Sequence, residues 1–294
     1  MVKIQFLRAF VVLSFLGLLS SIGVFASPPS PSKRSQSDRD ISAIGHRKID
    51  HGPNYWSAQQ ESELGRQLDE EVERHGRLVH DAAITDYVQR LAQDLARNSD
   101  TQMRIQVGLI NNEEVYALTQ PGGYQYITRG LVLRLEGEGE LAALLARGVA
   151  HTALDSAMKE MFWNPVASLP NHLVVNGLDS IPRSTPIFVK QDDELNADYF
   201  GVQYLYKTGY DPECFLTLIP RVWDSGQGSG KKVSVIFRGF PSVTERLRAL
   251  NKEISEILPK RDDAIVSTPE FAVFKGRVRD LIPEAAPKPP GKGE

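Results

Sequence analysis

The chain has 294 residues, which is enough for one sizeable domain or two small ones. Its hydrophobic content of 41% and its charged content of 24% are ordinary for a soluble globular protein. A net charge of −3 gives no bulk electrostatic reason to expect nucleic acid as a partner, and we expect none. The single cysteine, Cys214, excludes both an internal disulfide and a cysteine-based zinc site.

The N-terminal segment 1–26 has the pattern of a secretory signal peptide. Lys3 and Arg8 precede a long apolar run, and Val24 and Ala26 are small residues at the −3 and −1 positions of a cleavage site. We therefore expect cleavage after Ala26 and a mature chain that is periplasmic or secreted. The alternative is an uncleaved membrane anchor, because the run is nearly long enough to span a bilayer.

Composition divides the remaining chain into three parts. Residues 27–52 are rich in Pro, Ser, Arg and Asp, which predicts a disordered, flexible leader. Residues 283–294 form a Pro-rich tail for which we also predict disorder. Residues 53–282 carry helical and strand periodicities and are predicted to form one folded domain.

Two amphipathic helices open the predicted domain. Ser57, followed three residues later by Gln60, has the pattern of a capping box at the start of the first helix. Apolar residues then recur at helical spacing, as Leu64, Leu68 and Val72 in the first helix and as Ile84, Tyr87, Val88, Leu91 and Leu95 in the second.

The segment after the second helix predicts two strands separated by a turn. Apolar and polar residues alternate from Met103 to Leu109, which indicates the first strand. Pro121-Gly122-Gly123 predicts the turn, and Arg129-Gly130 leads into a further helix. The second strand consists of Tyr124, Gln125, Tyr126, Ile127 and Thr128.

A long helix is predicted from about Glu138 to Met158. It must be buried, because the stretch 141–154 carries only three polar side chains. Two of them, Arg147 and His151, are four residues apart and project from the same side of the helix. A buried guanidinium without a partner is very unfavourable, so Arg147 must be paired.

Partners for this arginine are available on the next predicted helix, which ends near Gly209. Glu194 and Asp198 are four residues apart and share one face of that helix. Gly201 lies one turn further along the same side, where a bare backbone lets another helix approach closely.

These motifs, in their order and spacing, resemble the family-48 zinc metallopeptidases. This gluzincin group includes CAAX prenyl proteases and bacterial outer-membrane quality-control proteases. The resemblance implies an α+β, mainly helical zincin-like fold with a small β-sheet beside the active-site helix. It rests on Glu63-Leu64-Gly65-Arg66-Gln67, Pro121-Gly122-Gly123-Tyr124, Thr128-Arg129-Gly130-Leu131, Gly139-Glu140-Leu141-Ala142-Ala143-Leu144, Glu194-x-x-Ala197-Asp198-x-x-Gly201, Gly209-Tyr210-Asp211-Pro212, and Pro241-Ser242 with Glu245-Arg246.

The family's active-site motif is only partly present. In His-Glu-x-x-His, histidines four residues apart bind one zinc ion and the glutamate activates water. By resemblance, His151 matches the second histidine, Glu194 the glutamate ligand and Asp198 its supporting aspartate. Arg147 stands at the first histidine, and Gly148 stands at the general-base glutamate.

The two replaced positions argue against catalysis. Arginine is a permanent cation that cannot ligate zinc, and glycine has no group that takes a proton. We therefore expect no catalytic residue, no bound metal and no cofactor, with His151 and Glu194 as surviving ligand positions and Arg246 as a supporting residue. We predict that Arg147 pairs with Glu194, near Asp198, and bridges the two helices that a metal would otherwise join.

Other positions depart from the family pattern as well. Phe240 stands where the periplasmic branch usually has histidine, Tyr116 stands where asparagine is frequent, and residues 159–190 match poorly. A simpler interpretation also remains open, in which Glu194 and Asp198 belong to a solvated helix face.

Three functions are compatible with these residues. The first is a pseudopeptidase that binds extended or unfolded polypeptide, or regulates an envelope quality-control partner, with Tyr124 to Thr128 as the strand that pairs with substrate. The alternative is an atypical active zinc metalloendopeptidase with a recruited ligand, for which His172 is the candidate, and zinc is expected only in that case. The third is a structural envelope protein whose cleft is sealed by Arg147. A membrane is a partner only if the N-terminal segment is not cleaved.

Overall fold

The described part of the chain combines α-helices with one small sheet. The computed structural model describes residues 35–49, 57–75, 77–154, 191–223 and 241–282. Its helices are α1 (Gln36–Arg39), α2 (Ala58–His75), α3 (Ala82–Arg97), α4 (Arg129–Arg134), α5 (Glu138–Ala153), α6 (Gln191–Lys207), α7 (Cys214–Trp223), α8 (Val243–Glu256) and α9 (Pro269–Asp280). Its strands are β1 (Gln106–Ile110), β2 (Ala117–Gln120) and β3 (Tyr124–Thr128). The α+β class, mainly helical with a small sheet, is confirmed.

Side-chain caps fix where the first two long helices begin. The backbone N–H of Ser57 donates to Gln60 Oε1 at 2.9 Å, and the N–H of Gln60 donates to Ser57 Oγ at 3.2 Å. This reciprocal pair is the predicted capping box. At α3, Asp81 accepts from the N–H groups of Ala83 and Ile84. None of the helices within the described ranges has the length and apolarity to cross a bilayer.

The sheet has the strand order β1-β3-β2, so β3 is the central strand. Tyr124–Thr128 pairs in parallel with Gln106–Ile110 and antiparallel with Ala117–Gln120. A strand whose two sides are both hydrogen-bonded has no edge to offer a substrate. The prediction that Tyr124 to Thr128 pairs with substrate is therefore wrong, and β2 lies at one edge instead.

The turn between β2 and β3 needs its glycines. Gly122 and Gly123 have φ values of 75° and 83°, in the left-handed region that favours glycine. Helix α2 lies directly against this turn, because a Cβ atom built at Gly65 would lie 2.3 Å from the carbonyl oxygen of Pro121. The turn thereby anchors α2 over one face of the sheet.

Helix α5 lies at the centre of the main hydrophobic core. Its N-cap is Gly137, its C-cap is Leu154, and nearly all of its residues are buried, as its apolar sequence predicts. The predicted extension to Met158 lies outside the described residues. Helix α6 ends before Gly209, whose φ of 103° reverses the chain as expected.

Residues 35–49, called here the N-terminal strap, are ordered and packed against the domain. Arg47 and Asp100 have side chains 1% and 0% exposed and form an ion pair at 2.6 Å. Arg47 also donates to Gln203 Oε1 at 2.7 Å, and Tyr204 donates to Asp100 Oδ2 at 2.9 Å. The expectation of a flexible leader over residues 27–52 is therefore wrong for the strap, because its polar residues find distant buried partners. The predicted signal segment and C-terminal tail lie outside the described residues.

Removing the strap's buried cation should destabilise the domain. Arg47→Ala leaves the charge of Asp100 buried without a cation, with the Gly45 N–H and the Tyr204 hydroxyl as its remaining donors. We therefore expect the free energy of unfolding in urea to fall by about 3–5 kcal/mol. The matched control is Arg66→Ala, which breaks an ion pair with Glu63 whose side chains are 51% and 52% exposed. There we expect a loss below about 1 kcal/mol. Equal losses in the two variants would contradict the role given to Arg47.

Candidate functional site

Helices α5 and α6 approach each other closely at a glycine. A Cβ atom at Gly201 would lie 3.1 Å from Cα of Arg147 and 3.0 Å from the ring of Phe215. A side chain at this position would be crowded between the two helices, and glycine avoids the crowding. The contact brings Arg147 opposite Glu194 and Asp198, which lie on the same face of α6.

The predicted pairing of Arg147 is present. Its Nη2 forms an ion pair with Glu194 Oε2, and its Nε donates to Asp198 Oδ1 at 3.1 Å. The side chain of Arg147 is 12% exposed, while those of Glu194 and Asp198 are 4% and 2% exposed. The interpretation of these carboxylates as a solvated helix face is thereby excluded. Removing one partner of such a buried group leaves an uncompensated charge.

A second guanidinium binds the same aspartate from α8. Arg246 is fully buried, and its Nε and Nη2 donate to Asp198 Oδ2 and Oδ1, each at 2.7 Å. This is the bidentate geometry that suits an arginine and a carboxylate. Asp198 therefore joins α5, α6 and α8, and Arg246 lies where a supporting residue was expected.

The charges of the cluster cancel. Arg147 and Arg246 contribute two positive charges, and Glu194 and Asp198 contribute two negative ones. Burial, with the nearby charge of Arg246, lowers the pKa of Arg147 to about 10, so its guanidinium stays protonated at neutral pH. Burial and then the two guanidinium charges lower the pKa of His151 well below its usual value. His151 is therefore neutral, with Nε2 at 3.7 Å from Glu194 Oε1.

The residues present do not fit a zinc ion. Structural and catalytic zinc sites use three or four nitrogen, oxygen or sulfur ligands. Here His151 and Glu194 are the remaining donors, and the carboxylate of Glu194 is already engaged by Arg147. In the part of the chain that the structure describes, no group of three or more His, Cys, Asp or Glu is placed to hold a metal. A divalent ion here would also stand beside the charges of Arg147 and Arg246.

Several other positions noted in the sequence can now be located. Gly148 lies on α5 and faces the central strand β3. Tyr116 is 6% exposed and belongs to a small apolar cluster under α2 together with Tyr126. Phe240 and His172, like residues 159–190, lie outside the described residues, so the recruited-ligand alternative stays untested.

Strand β2 is the edge that sequence reasoning missed. The backbone N–H of Thr128 donates to the carbonyl of Tyr116 at 3.3 Å. Since ladder bonds alternate along an antiparallel pair, the N–H and C=O groups of Ala117 and Thr119 point away from β3. Within the described ranges no strand pairs with this outer side. Four residues are too few for a periodic signal, but a hairpin ahead of the Pro-Gly-Gly turn could have been inferred.

Arg147 should be a large contributor to stability. Arg147→Ala removes the cation that two buried carboxylates share, so we expect a loss of about 3–5 kcal/mol in the free energy of unfolding. The control is Arg97→Ala in α3, whose ion pair with Asp94 has side chains 68% and 49% exposed. Its expected loss is below about 1 kcal/mol. A comparably small loss for Arg147→Ala, measured by urea denaturation, would show that the cluster does not depend on this cation.

The neutral state of His151 predicts a pH dependence of stability. As the pH falls below about 6.5, the unfolded chain takes up a proton at this histidine while the folded chain does not. Stability is therefore retained above that pH and lost below it, by at most about 1.4 kcal/mol per pH unit. His151→Asn should flatten the decline in unfolding free energy between pH 6.5 and 5. His80→Asn, at a histidine whose side chain is 73% exposed, is the matched control. An unchanged slope in His151→Asn would refute the prediction.

Two curated proteins with similar sequences are peptidases. The chain is 23% identical to the beta-barrel assembly-enhancing protease of Escherichia coli O157:H7 over 237 residues, which are 74% of this chain and 48% of that protein. It is 28% identical to the mitochondrial metalloendopeptidase OMA1 of Schizosaccharomyces pombe over 191 residues, which are 60% of this chain and 55% of that protein. The chain thus spans about half the length of the curated relatives it matches.

The match to a family covers the elements that build the site. The sequence model of Peptidase family M48 matches residues 82–254, which is more than half of the chain. This range extends from α3 into α8 and contains Arg147, Glu194, Asp198 and Arg246. The resemblance read from the motifs is confirmed, and the chain belongs to Peptidase family M48.

Proposed function

We propose that this chain is a non-catalytic member of family M48 that binds extended polypeptide in the cell envelope. The observation that carries the proposal is the ion pair of Arg147 with Glu194. The guanidinium of Arg147 is thereby bound to Glu194, which is one of the two surviving ligand positions. The similarity to beta-barrel assembly-enhancing proteases supports a protease-like role in the envelope. The signal-peptide pattern of residues 1–26 supports export.

Hydrolysis of a peptide bond requires a polarised carbonyl and an activated water molecule. In zinc peptidases the metal supplies both, and a nearby glutamate removes the proton from water. Here Gly148 offers no proton acceptor, and Arg147 neutralises Glu194. His151 is neutral, but burial and then the charges of Arg147 and Arg246 oppose its protonation, so it is a poor general base. The cluster is suited to holding helices together and not to generating hydroxide.

Binding of polypeptide does not need this chemistry. An extended segment can add to the outer side of β2, where Ala117 and Thr119 direct their main-chain groups away from the sheet. Such strand addition derives affinity from main-chain hydrogen bonds and is tolerant of sequence. This tolerance is what a protein that recognises unfolded envelope proteins requires.

An active zinc metalloendopeptidase is the competing function. It requires a ligand in place of the first histidine and a base in place of Gly148. Stoichiometric zinc in the purified protein, together with casein cleavage that a chelator abolishes, would establish it and end the present proposal. We expect neither result.

Loss of an outward main-chain donor should weaken binding. Thr119→Pro removes the N–H that points away from β3, so the ladder between β2 and β3 keeps its bonds while strand addition loses one. We expect at least about a tenfold rise in the dissociation constant for a fluorescent, reduced and carboxymethylated polypeptide, since each 1.4 kcal/mol is a factor of ten. Anisotropy titration measures it.

The control is Thr119→Ala, which changes the side chain and keeps the N–H group, and which should bind as the wild type does. Urea denaturation of both variants verifies that each is folded. Equal affinity for the proline and alanine variants would exclude β2 as the binding edge. No measurable binding by the wild-type chain would favour the purely structural role.

A further inference from the structure

The space above Gly148 is filled by a side chain from the central strand. A Cβ atom built at Gly148 would lie 2.5 Å from Oε1, 2.6 Å from Cδ and 2.9 Å from Nε2 of Gln125. Real Cβ atoms essentially never come this close to another heavy atom. The carboxamide of Gln125 therefore stands where the first carbons of any side chain at 148 would lie.

The surroundings of Gln125 restrict its movement. The residue is 3% exposed. In the register of the sheet it lies opposite Val107 of β1 and Thr119 of β2, so its strand is held between two neighbours. The carboxamide is the far end of a flexible side chain, so relief of the overlap requires its rotation. In a closely packed interior such a rotation displaces further neighbours.

We propose that Gln125 seals the general-base position of the degenerate site. It fills the volume that a glutamate at 148 would need, which makes residues 125 and 148 a sterically coupled pair. A return of the zinc-peptidase residues at 147 and 148 then requires the carboxamide of Gln125 to move out of this volume. The departure from the zinc-peptidase site consequently involves three positions. Residues 147 and 148 lie on α5, and residue 125 lies on β3.

The polar end of Gln125 supports this assignment. Its Nε2 is buried and has no hydrogen-bond partner among the described residues. A buried amide without a partner is unfavourable, so a sequence under selection for stability alone would place an apolar residue there. The inference concerns packing and does not require polypeptide to bind at β2. It rests on the non-catalytic part of the proposed function, and its test by Tm is separate from the test of binding at β2.

A double-mutant cycle tests the coupling. Glycine to alanine inside a helix is ordinarily favourable, because alanine has the higher helix propensity. The control is Gly276→Ala in α9, where a Cβ would meet nothing within 4 Å, so we expect the Tm to be unchanged or higher. Gly148→Ala should instead lower the Tm by about 5 °C, the size expected for overpacking in a domain of this length.

The Gly148→Ala change is then made in a variant that lacks the carboxamide of Gln125. In a Gln125→Ala background, Gly148→Ala should no longer lower the Tm, because the volume above the helix has been vacated. A decrease of the same size in both backgrounds, or no decrease in either, would overturn the proposal. If Gln125→Ala alone prevents folding, Gln125→Ser shortens the side chain and serves the same comparison.

A restoration series gives a second, independent readout. Arg147→His with Gly148→Glu returns both motif residues while Gln125 is kept, and adding Gln125→Ala opens the space for the glutamate. We expect the triple variant to have a Tm about 5 °C above that of the double variant. Zinc per chain, measured after dialysis against zinc and then buffer, should be higher in the triple variant. A double variant with the wild-type Tm and one bound zinc would refute the sealing role.

Discussion

The arrangement of the site depends on one guanidinium held between two buried carboxylates at the crossing of α5 and α6. Arg147 can reach Glu194 and Asp198 because Gly201 lets the two helices approach closely. Asp198 is bound in turn by Arg246 on α8, so that one aspartate connects three helices. Each of the four charges is compensated inside a low-dielectric environment, where an unmatched charge is very costly. Burial, and after it the charges of the same two cations, lowers the pKa of His151 and keeps it neutral.

An arginine and a metal ion bridge helices with different consequences. A bound zinc ion exchanges with solution and is removed by chelators, whereas a side chain is covalently part of the fold. The bridge that Arg147 makes between α5 and α6 therefore does not depend on the metal concentration. In zinc peptidases the first histidine helps to hold a metal with an open coordination position, and Arg147 supplies no ligand at that place. The outward main-chain groups of β2 do not depend on the metal.

Much of this structure was predictable from the sequence because the relevant signals are local. Helical spacing located α2, α3, α5 and α6, and the need to pair a buried cation predicted the contact of Arg147 with Glu194. Strand order was not predictable, because β3 looks the same in sequence whether it lies at an edge or in the centre. The strap was missed because Arg47 finds Asp100 and Gln203 only after the chain has folded. The contact of Gln125 with Gly148 likewise joins a strand to a helix that has no local relation to it.

The N-terminal strap also constrains the order in which the chain can fold. Arg47 bonds to a residue 53 positions later and to another 156 positions later. During synthesis the strap leaves the ribosome early, yet its last acceptor is made only when α6 has emerged. Contacts of such large sequence separation close late, because the loop entropy must be offset first. The strap thus acquires its full set of buried partners only after α6 has been made.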